Sequence, residues 1–141
     1  MTKDKTLNDK VHGRPQAGDI KYCRTCYDHL AGFVGVALTE ALEAKGCLAK
    51  SGGSFLVTRD GWEWLRSFNI SEKNFESSKR PLARQCIDGT QRRPHLAGQL
   101  GALLLTRMFE RGWFKRVGSS RVIVVTERGR RELKTGLNLL L

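Results

Sequence analysis

The sequence has few of the features that mark membrane, secreted or disulfide-stabilised proteins. No apolar run approaches the roughly 18 residues that a membrane-spanning helix needs. Residues 1–16 are polar and lack the apolar block of a secretory signal. The four cysteines are too few and too irregularly spaced for a disulfide framework in 141 residues. We therefore expect a cytoplasmic protein with reduced thiols.

Enzyme signatures are also missing. The sequence contains no P-loop, nucleophile elbow, HExxH motif or dinucleotide-binding glycine pattern. It has three histidines, which leaves little room for a buried catalytic triad. We predict no catalytic residues and no resident cofactor, apart from a possible zinc or thiol redox site considered below.

Positive charge is abundant and unevenly distributed. The formal net charge is +11, and residues 80–141 hold 13 Lys and Arg against 4 Asp and Glu. Such a surface attracts polyanions, because neutralising each phosphate releases condensed counterions; the alternative is a solvated basic face with ion pairs such as Glu127 with Arg131. The candidate contacts to duplex DNA are Arg92, Arg93, Lys115, Arg116, Arg121, Arg128, Arg130 and Arg131.

An internal repeat organises the chain. His29–Gly32 recurs as His95–Gly98 at an offset of 66, and several glycines and leucines that follow match at the same offset. After a two-residue insertion the offset becomes 68, where Val57-Thr58 matches Val125-Thr126. We interpret each copy as one supersecondary unit.

The spacing of apolar residues predicts what each unit contains. Residues 30–42 and 96–108 each place their apolar side chains on one helical face, and a glycine follows each helix. Two short apolar runs separated by turn residues then predict a β-hairpin. Thr58 and Thr126 are predicted N-caps of closing helices over residues 59–68 and 127–135.

These elements predict an α+β fold of two tandem winged-helix-like units, each with a long helix, a β-hairpin wing and a closing helix, packed through their first helices. The predicted organisation is a flexible arm (1–18), unit 1 (19–70), a linker (71–85) and unit 2 (86–141), which ends in an apolar tail expected to dock on a core or a second subunit. Glycines three residues apart share a helix face, so we expect close helix–helix packing, within the chain or across a dimer, at Gly32, Gly35, Gly98 and Gly101. The alternative is that these glycines are merely tolerated.

Cysteine and histidine are concentrated near the start of unit 1. The pattern Cys23-x-x-Cys26-x-x-His29 places three potential metal-binding residues within seven positions. A second Cys-x-x-Cys is missing, so a zinc site would need the fold to bring in Cys86 or His95. The alternative is that His29 and His95 open the two long helices and make a structural polar contact.

Three segments, Cys26–Gly32, Arg84–Asp88 and Arg92–Gly98, resemble the C-terminal portion of certain ArsR-like winged-helix transcription regulators. The resemblance covers roughly residues 20–136 and implies a cytoplasmic, homodimeric DNA-binding regulator with a helix-turn-helix. The chain departs from that pattern, because a helix-turn-helix needs about 22 residues between the opening of its second helix and the glycine after its recognition helix. Leu30 to Gly46 and Leu96 to Gly112 each span 16 residues, which fits one continuous helix.

Two functional hypotheses follow. The first is a transcription regulator that presents a basic face to DNA as a homodimer. The second is an effector-sensing or dimerisation module of a regulator, without DNA binding of its own.

Overall fold

Two successive segments of the chain have the same order of elements: a short hairpin, a helix, a second hairpin and a closing helix. The computed structural model describes residues 14–141, so most of the predicted arm over residues 1–18 lies outside the described residues. In unit 1 the elements are β1 (Arg24–Cys26), β2 (His29–Ala31), α1 (Gly32–Ala44), β3 (Leu48–Ser51), β4 (Ser54–Val57) and α2 (Arg59–Arg66). After a 3-10 helix (Glu72–Phe75), unit 2 contains β5 (Arg84–Ile87), β6 (Pro94–Ala97), α3 (Gly98–Glu110), β7 (Phe114–Arg116), β8 (Ile123–Val125) and α4 (Glu127–Leu137).

We call β1–β2 hairpin 1, β5–β6 hairpin 2, β3–β4 wing 1 and β7–β8 wing 2. All strand pairs are antiparallel within the described residues, which confirms the predicted α+β class. The two threonine N-caps are also confirmed: Thr58 accepts a hydrogen bond from the amide of Gly61, and Thr126 accepts one from Gly129. The winged-helix character of the units stays a prediction.

Each hairpin pairs with the wing of the other unit. Wing 1 and hairpin 2 form one four-stranded sheet in the order β3-β4-β5-β6. In that sheet Phe55 donates its amide hydrogen to the carbonyl of Ala83 over 2.9 Å. Hairpin 1 meets wing 2 in the matching way, since the amide of Ile123 donates to the carbonyl of Cys23 over 3.0 Å. Buried residues of both units consequently join a single hydrophobic core.

The first helices begin later than the sequence predicts. His29 and Leu30 belong to strand β2, and their counterparts His95 and Leu96 belong to β6, so the histidines do not open helices. The turn from strand to helix occurs at Gly32 and Gly98, where φ is +80° and +79°. A positive φ is accessible to glycine at little cost, which explains the abrupt change of direction.

The nearest neighbours of Gly35 in α1 and Gly101 in α3 belong to strands, so within the chain the two helices do not pack against each other through these glycines, and glycine packing across a dimer stays a prediction. A Cβ atom added at Gly35 would lie 2.6 Å from the carbonyl oxygen of Leu30 and 3.7 Å from the Cβ of His95. A Cβ at Gly101 would lie 2.6 Å from the carbonyl oxygen of Leu96 and 3.2 Å from the Cβ of His29. The closest approach of each glycine is therefore to the strand that precedes its own helix, and the histidine from the strand of the other unit lies next to it.

The segment predicted as a linker is partly structured. Residues 71–85 include the 3-10 helix, the buried Ala83 and the first two residues of β5. At the other end of the chain, Leu137 is buried as the last residue of α4, while Leu139 and Leu141 pack half-buried against the core. Within residues 14–141, no helix has the length and apolar composition to cross a membrane.

Replacing Gly35 or Gly101 by alanine should destabilise the protein. The added methyl group would collide with a backbone carbonyl at 2.6 Å, so we expect a loss of about 1–3 kcal/mol in the free energy of unfolding. Gly136→Ala is the matched control, because it also lies in a helix and nothing lies within 4 Å of its added Cβ. Urea denaturation should show Gly136→Ala unchanged or slightly more stable; equal stability of all three variants would contradict the packing described.

Candidate functional site

Strand pairing brings one cysteine and one histidine together in each hairpin. Cys26 lies opposite His29 in hairpin 1, and Cys86 lies opposite His95 in hairpin 2. Residues directly opposite each other in an antiparallel pair have neighbouring side chains on the same face. Each hairpin therefore presents one thiol and one imidazole in the same direction.

The two hairpins face each other, so their side chains meet. The Nε2 atoms of His29 and His95 are 3.0 Å apart, and the ring centroids are 4.8 Å apart. The Sγ atoms of Cys26 and Cys86 lie beside them, and all four ligand atoms are within 4.8 Å of one another. We call these four residues the Cys/His cluster. Both histidines are buried and both cysteines are half-buried, so the thiols form its more open side.

A carboxylate holds the outer nitrogen of each imidazole. Oδ1 of Asp88 lies 3.0 Å from Nδ1 of His95, and Oδ1 of Asp28 lies 3.3 Å from Nδ1 of His29. An ionised carboxylate can only accept hydrogen bonds, so these contacts place a proton on each Nδ1. The free lone pairs of both imidazoles then converge at Nε2. Metal-binding histidines in proteins are commonly oriented by a carboxylate in this way.

Asp88 is fully buried and connects the two units. Its Oδ1 accepts hydrogen bonds from the amide of Gly32 over 2.7 Å and from the Arg24 guanidinium over 3.3 Å, besides its contact to His95. Its Oδ2 accepts from Gln91 and from both the amide and hydroxyl of Thr90. Burial alone would raise the pKa of Asp88, but the hydrogen bonds from Gln91, Gly32 and Thr90 outweigh burial and hold the pKa well below its usual range.

The histidines of the cluster are neutral at physiological pH. Burial lowers the pKa of His95 to about 4, and the neighbouring His29 acts in the same direction. Burial also lowers the pKa of His29, against the opposing effect of Asp28. Burial raises the pKa of the Cys86 thiol, and Cys26 adds to this effect. A neutral imidazole is the form that can donate a lone pair to a metal.

Four of the five predicted metal or redox residues come together, and Cys23 does not. Residues three apart on an extended segment point to opposite faces, so Cys23 and Cys26 cannot act as the paired ligands that the Cys-x-x-Cys spacing suggests. Cys23 is fully buried in the core, where burial strongly raises the pKa of its thiol.

Cys26 and Cys86 occupy equivalent positions in the two hairpins, but they lie 60 residues apart, so the repeat with an offset of 66 does not align them. The second strand of each hairpin matches at 66, but the first strand matches at 60, because eight residues separate Cys86 from His95 whereas two separate Cys26 from His29. A search that allowed such an insertion would align Arg24-Thr25-Cys26 with Arg84-Gln85-Cys86. The shared Arg-x-Cys pattern was therefore the available signal.

The predicted basic contacts lie on three elements. Wing 2 carries exposed Lys115, Arg116 and Arg121; the Arg116 guanidinium lies 4.5 Å from the centre of the Phe109 ring, and Nε of Arg121 donates to the carbonyl of Thr25 over 3.2 Å. In the part of the chain that the structure describes, none of these three cations forms a salt bridge. Their charges remain available to an external anion.

The remaining basic candidates differ in exposure. At the turn of hairpin 2, Arg92 is exposed with φ of 63°, and Arg93 pairs with Glu40 over 3.4 Å. On α4, Arg128 and Arg131 are exposed, whereas Arg130 is half-buried, with its guanidinium 3.4 Å from the Tyr22 hydroxyl. Wing 2 and the exposed side of α4 are thus the most open basic surfaces of unit 2.

Comparison with known proteins identifies a bacterial relative. Over 121 residues the chain is 39% identical to the protein named "Uncharacterized HTH-type transcriptional regulator YdfF" of Bacillus subtilis (strain 168). The match covers 86% of this chain and 54% of the relative, so the chain spans about half the length of that regulator. No protein-family model matches the chain. No solved structure matches it with significance.

Asp88→Asn should strongly destabilise the fold. The substitution keeps the size of the side chain but removes the charge that balances Arg24, so we expect a loss of about 3–5 kcal/mol in the free energy of unfolding. Urea denaturation in the presence of a chelator measures this without any contribution from bound metal. The exposed Asp60→Asn should lose far less; similar losses in both variants would show that Asp88 does not join the units.

Proposed function

We propose that this chain belongs to a DNA-binding transcription regulator of the ArsR-like winged-helix type. The observation that carries the proposal is its 39% identity, over most of its length, to a protein named as an HTH-type transcriptional regulator. In this proposal each unit is a derivative of a winged helix, in which a hairpin and one helix stand where a winged helix has its helix-turn-helix. The protein acts in the cytoplasm as a homodimer and is not an enzyme.

The basic surface of unit 2 supports a direct contact with DNA. Lys115, Arg116 and Arg121 project from wing 2, and Arg128 and Arg131 are exposed on the helix that follows. Cations of this kind bind the phosphate backbone without reading the base sequence. Wing 2 is therefore the proposed contact, with α4 and the turn of hairpin 2 contributing further positive charge.

The first helices are poorly suited to base recognition. In α1, seven of 13 residues are buried, and its exposed side carries Glu40, which would repel phosphate. In α3 the buried residues again form one face, and Arg107 is engaged by the carbonyl of Phe68 and by Glu110. DNA contact through unit 2 is accordingly a backbone contact.

A second candidate function is an effector-sensing or dimerisation module that does not bind DNA itself. The observation that favours it is the order of elements, because within residues 14–141 every α-helix is preceded by a strand and none forms a helix-turn-helix. In this case base recognition belongs to another part of the regulator. Size-exclusion chromatography with light scattering tests the homodimer, which both candidates share.

Duplex binding at two salt concentrations separates the candidates. If wing 2 contacts phosphates, fluorescence anisotropy should give an affinity that falls steeply with salt. Lys115→Ala combined with Arg116→Ala should weaken binding equally for unrelated duplexes and reduce the salt slope by about 2, since each phosphate contact contributes about 1.

The matched control for this experiment is Lys50→Ala. Lys50 occupies in wing 1 the position that Arg116 occupies in wing 2, and it faces Glu43 at 3.9 Å. This variant should bind DNA as the parent does. No measurable binding by the folded parent chain would reject DNA contact and leave the effector-sensing module as the function.

A further inference from the structure

We propose that the Cys/His cluster binds one Zn²⁺ ion between the two units, with Cys26, His29, Cys86 and His95 as its four ligands. This inference rests on the geometry of the cluster and does not depend on the proposed function. Each hairpin supplies one thiolate and one imidazole, so neither unit holds a complete site.

The donor atoms have the type and spacing of a structural zinc site. Zinc binds cysteine sulfur at about 2.3 Å and histidine nitrogen at about 2.0–2.1 Å in a tetrahedron, which places neighbouring ligand atoms about 3.3–3.8 Å apart. In the cluster the two Nε2 atoms are 3.0 Å apart, and no pair of ligand atoms exceeds 4.8 Å. A bound ion would therefore require the two imidazoles to separate slightly and the ligand atoms that lie farthest apart to move closer by about 1 Å.

The arrangement of the two imidazoles also favours a bound cation. With Asp28 and Asp88 accepting from Nδ1 of the two histidines, both Nε2 atoms carry lone pairs that point at each other across 3.0 Å. Two such lone pairs repel, and a positive ion between them turns the repulsion into two coordinate bonds. The carboxylates at the outer nitrogens then fix the rings and strengthen their donation to the ion.

Charge balance favours a divalent ion that accepts sulfur. On binding, the thiols of Cys26 and Cys86 each lose a proton to solvent, while the two imidazoles lose none. Two thiolates then neutralise the two positive charges of the ion, and no net charge remains in a partly buried site. Thiolate and imidazole together suit zinc, whereas Mg²⁺ and Ca²⁺ prefer oxygen ligands.

Cobalt substitution of the 141-residue chain tests the site directly. Chelator-treated protein, kept reduced and freed of chelator, should bind one Co²⁺ per chain. The spectrum should show the intense visible bands of tetrahedral cobalt and an ultraviolet thiolate-to-cobalt charge-transfer band. Zn²⁺ should displace the cobalt and remove both sets of bands. Added to the metal-free protein, Zn²⁺ should release two protons per ion at neutral pH and raise the melting temperature; Mg²⁺ should do none of these.

Variants assign the ligands. Cys26→Ser and Cys86→Ser should each lose most of the charge-transfer band and weaken zinc binding more than any variant outside the cluster. Cys23→Ala and Cys47→Ala are the matched controls, because both cysteines are buried and neither belongs to the cluster. Circular dichroism confirms that each variant is folded.

Asp28→Asn tests the orienting carboxylate separately. Asp28 does not touch the ion, so this variant should keep the tetrahedral cobalt spectrum while its zinc affinity falls about 10- to 100-fold. Its partial exposure makes the substitution compatible with folding.

Three results would overturn the proposal. The first is the absence of one-to-one cobalt or zinc binding by the folded parent chain. The second is an unchanged charge-transfer band in both Cys26→Ser and Cys86→Ser. The third is a Cys26–Cys86 disulfide that persists in excess thiol reductant and prevents metal binding. If a serine variant does not fold, the number of protons that the parent chain releases on binding zinc tests the proposal instead. A site without two thiolates would not release two protons per ion.

Discussion

The backbone hydrogen bonds between each hairpin and the opposite wing are the constraint on which the rest of the structure depends. They run from Ile123 to Cys23 on one side and from Phe55 to Ala83 on the other. Because the strands are exchanged in both directions, the two hairpins must lie back to back near the centre of the molecule. That placement brings the two histidines into contact and gives each glycine-faced helix a strand from the other unit to pack on.

The local elements could be predicted from the sequence, but the pairing of each hairpin with the wing of the other unit could not. The wings, the closing helices and the caps at Thr58 and Thr126 follow from short-range patterns, because turn residues and capping hydroxyls act within a few residues. The sequence did not predict a strand at His29–Ala31, because Leu30 fits the helical spacing of the apolar residues that follow it. The helix start depends on a positive φ at Gly32, which an interior glycine does not signal by itself.

The Cys/His cluster could likewise be predicted only in part from the sequence. The four residues of the Cys/His cluster were visible in the sequence as candidate ligands, and the fold brings Cys86 and His95 beside Cys26 and His29. Which cysteine of Cys23 and Cys26 faces the cluster depends on strand alternation, and the meeting of the two hairpins depends on long-range pairing. Neither property can be read from spacing along one segment.

The longer turn of hairpin 2 breaks the symmetry of the two units. It carries Asp88, whose carboxylate reaches the amide of Gly32 at the start of α1. Hairpin 1 turns through Tyr27 and Asp28 alone, and Asp28 stays at the surface with Arg80. One side of the junction is therefore fixed by a buried carboxylate that accepts several hydrogen bonds, and the other by a partly exposed ion pair that solvent and salt can weaken.

The exchange of strands also has a consequence for synthesis on the ribosome. Arg121 donates a side-chain hydrogen bond to the carbonyl of Thr25 across 96 residues of sequence, and wing 2 completes the surroundings of hairpin 1. Hairpin 1 therefore leaves the exit tunnel long before the strands that cover it exist. The contacts between hairpin 1 and wing 2 can form only after the strands of wing 2 have been made, and their large separation in sequence is of the kind that slows folding.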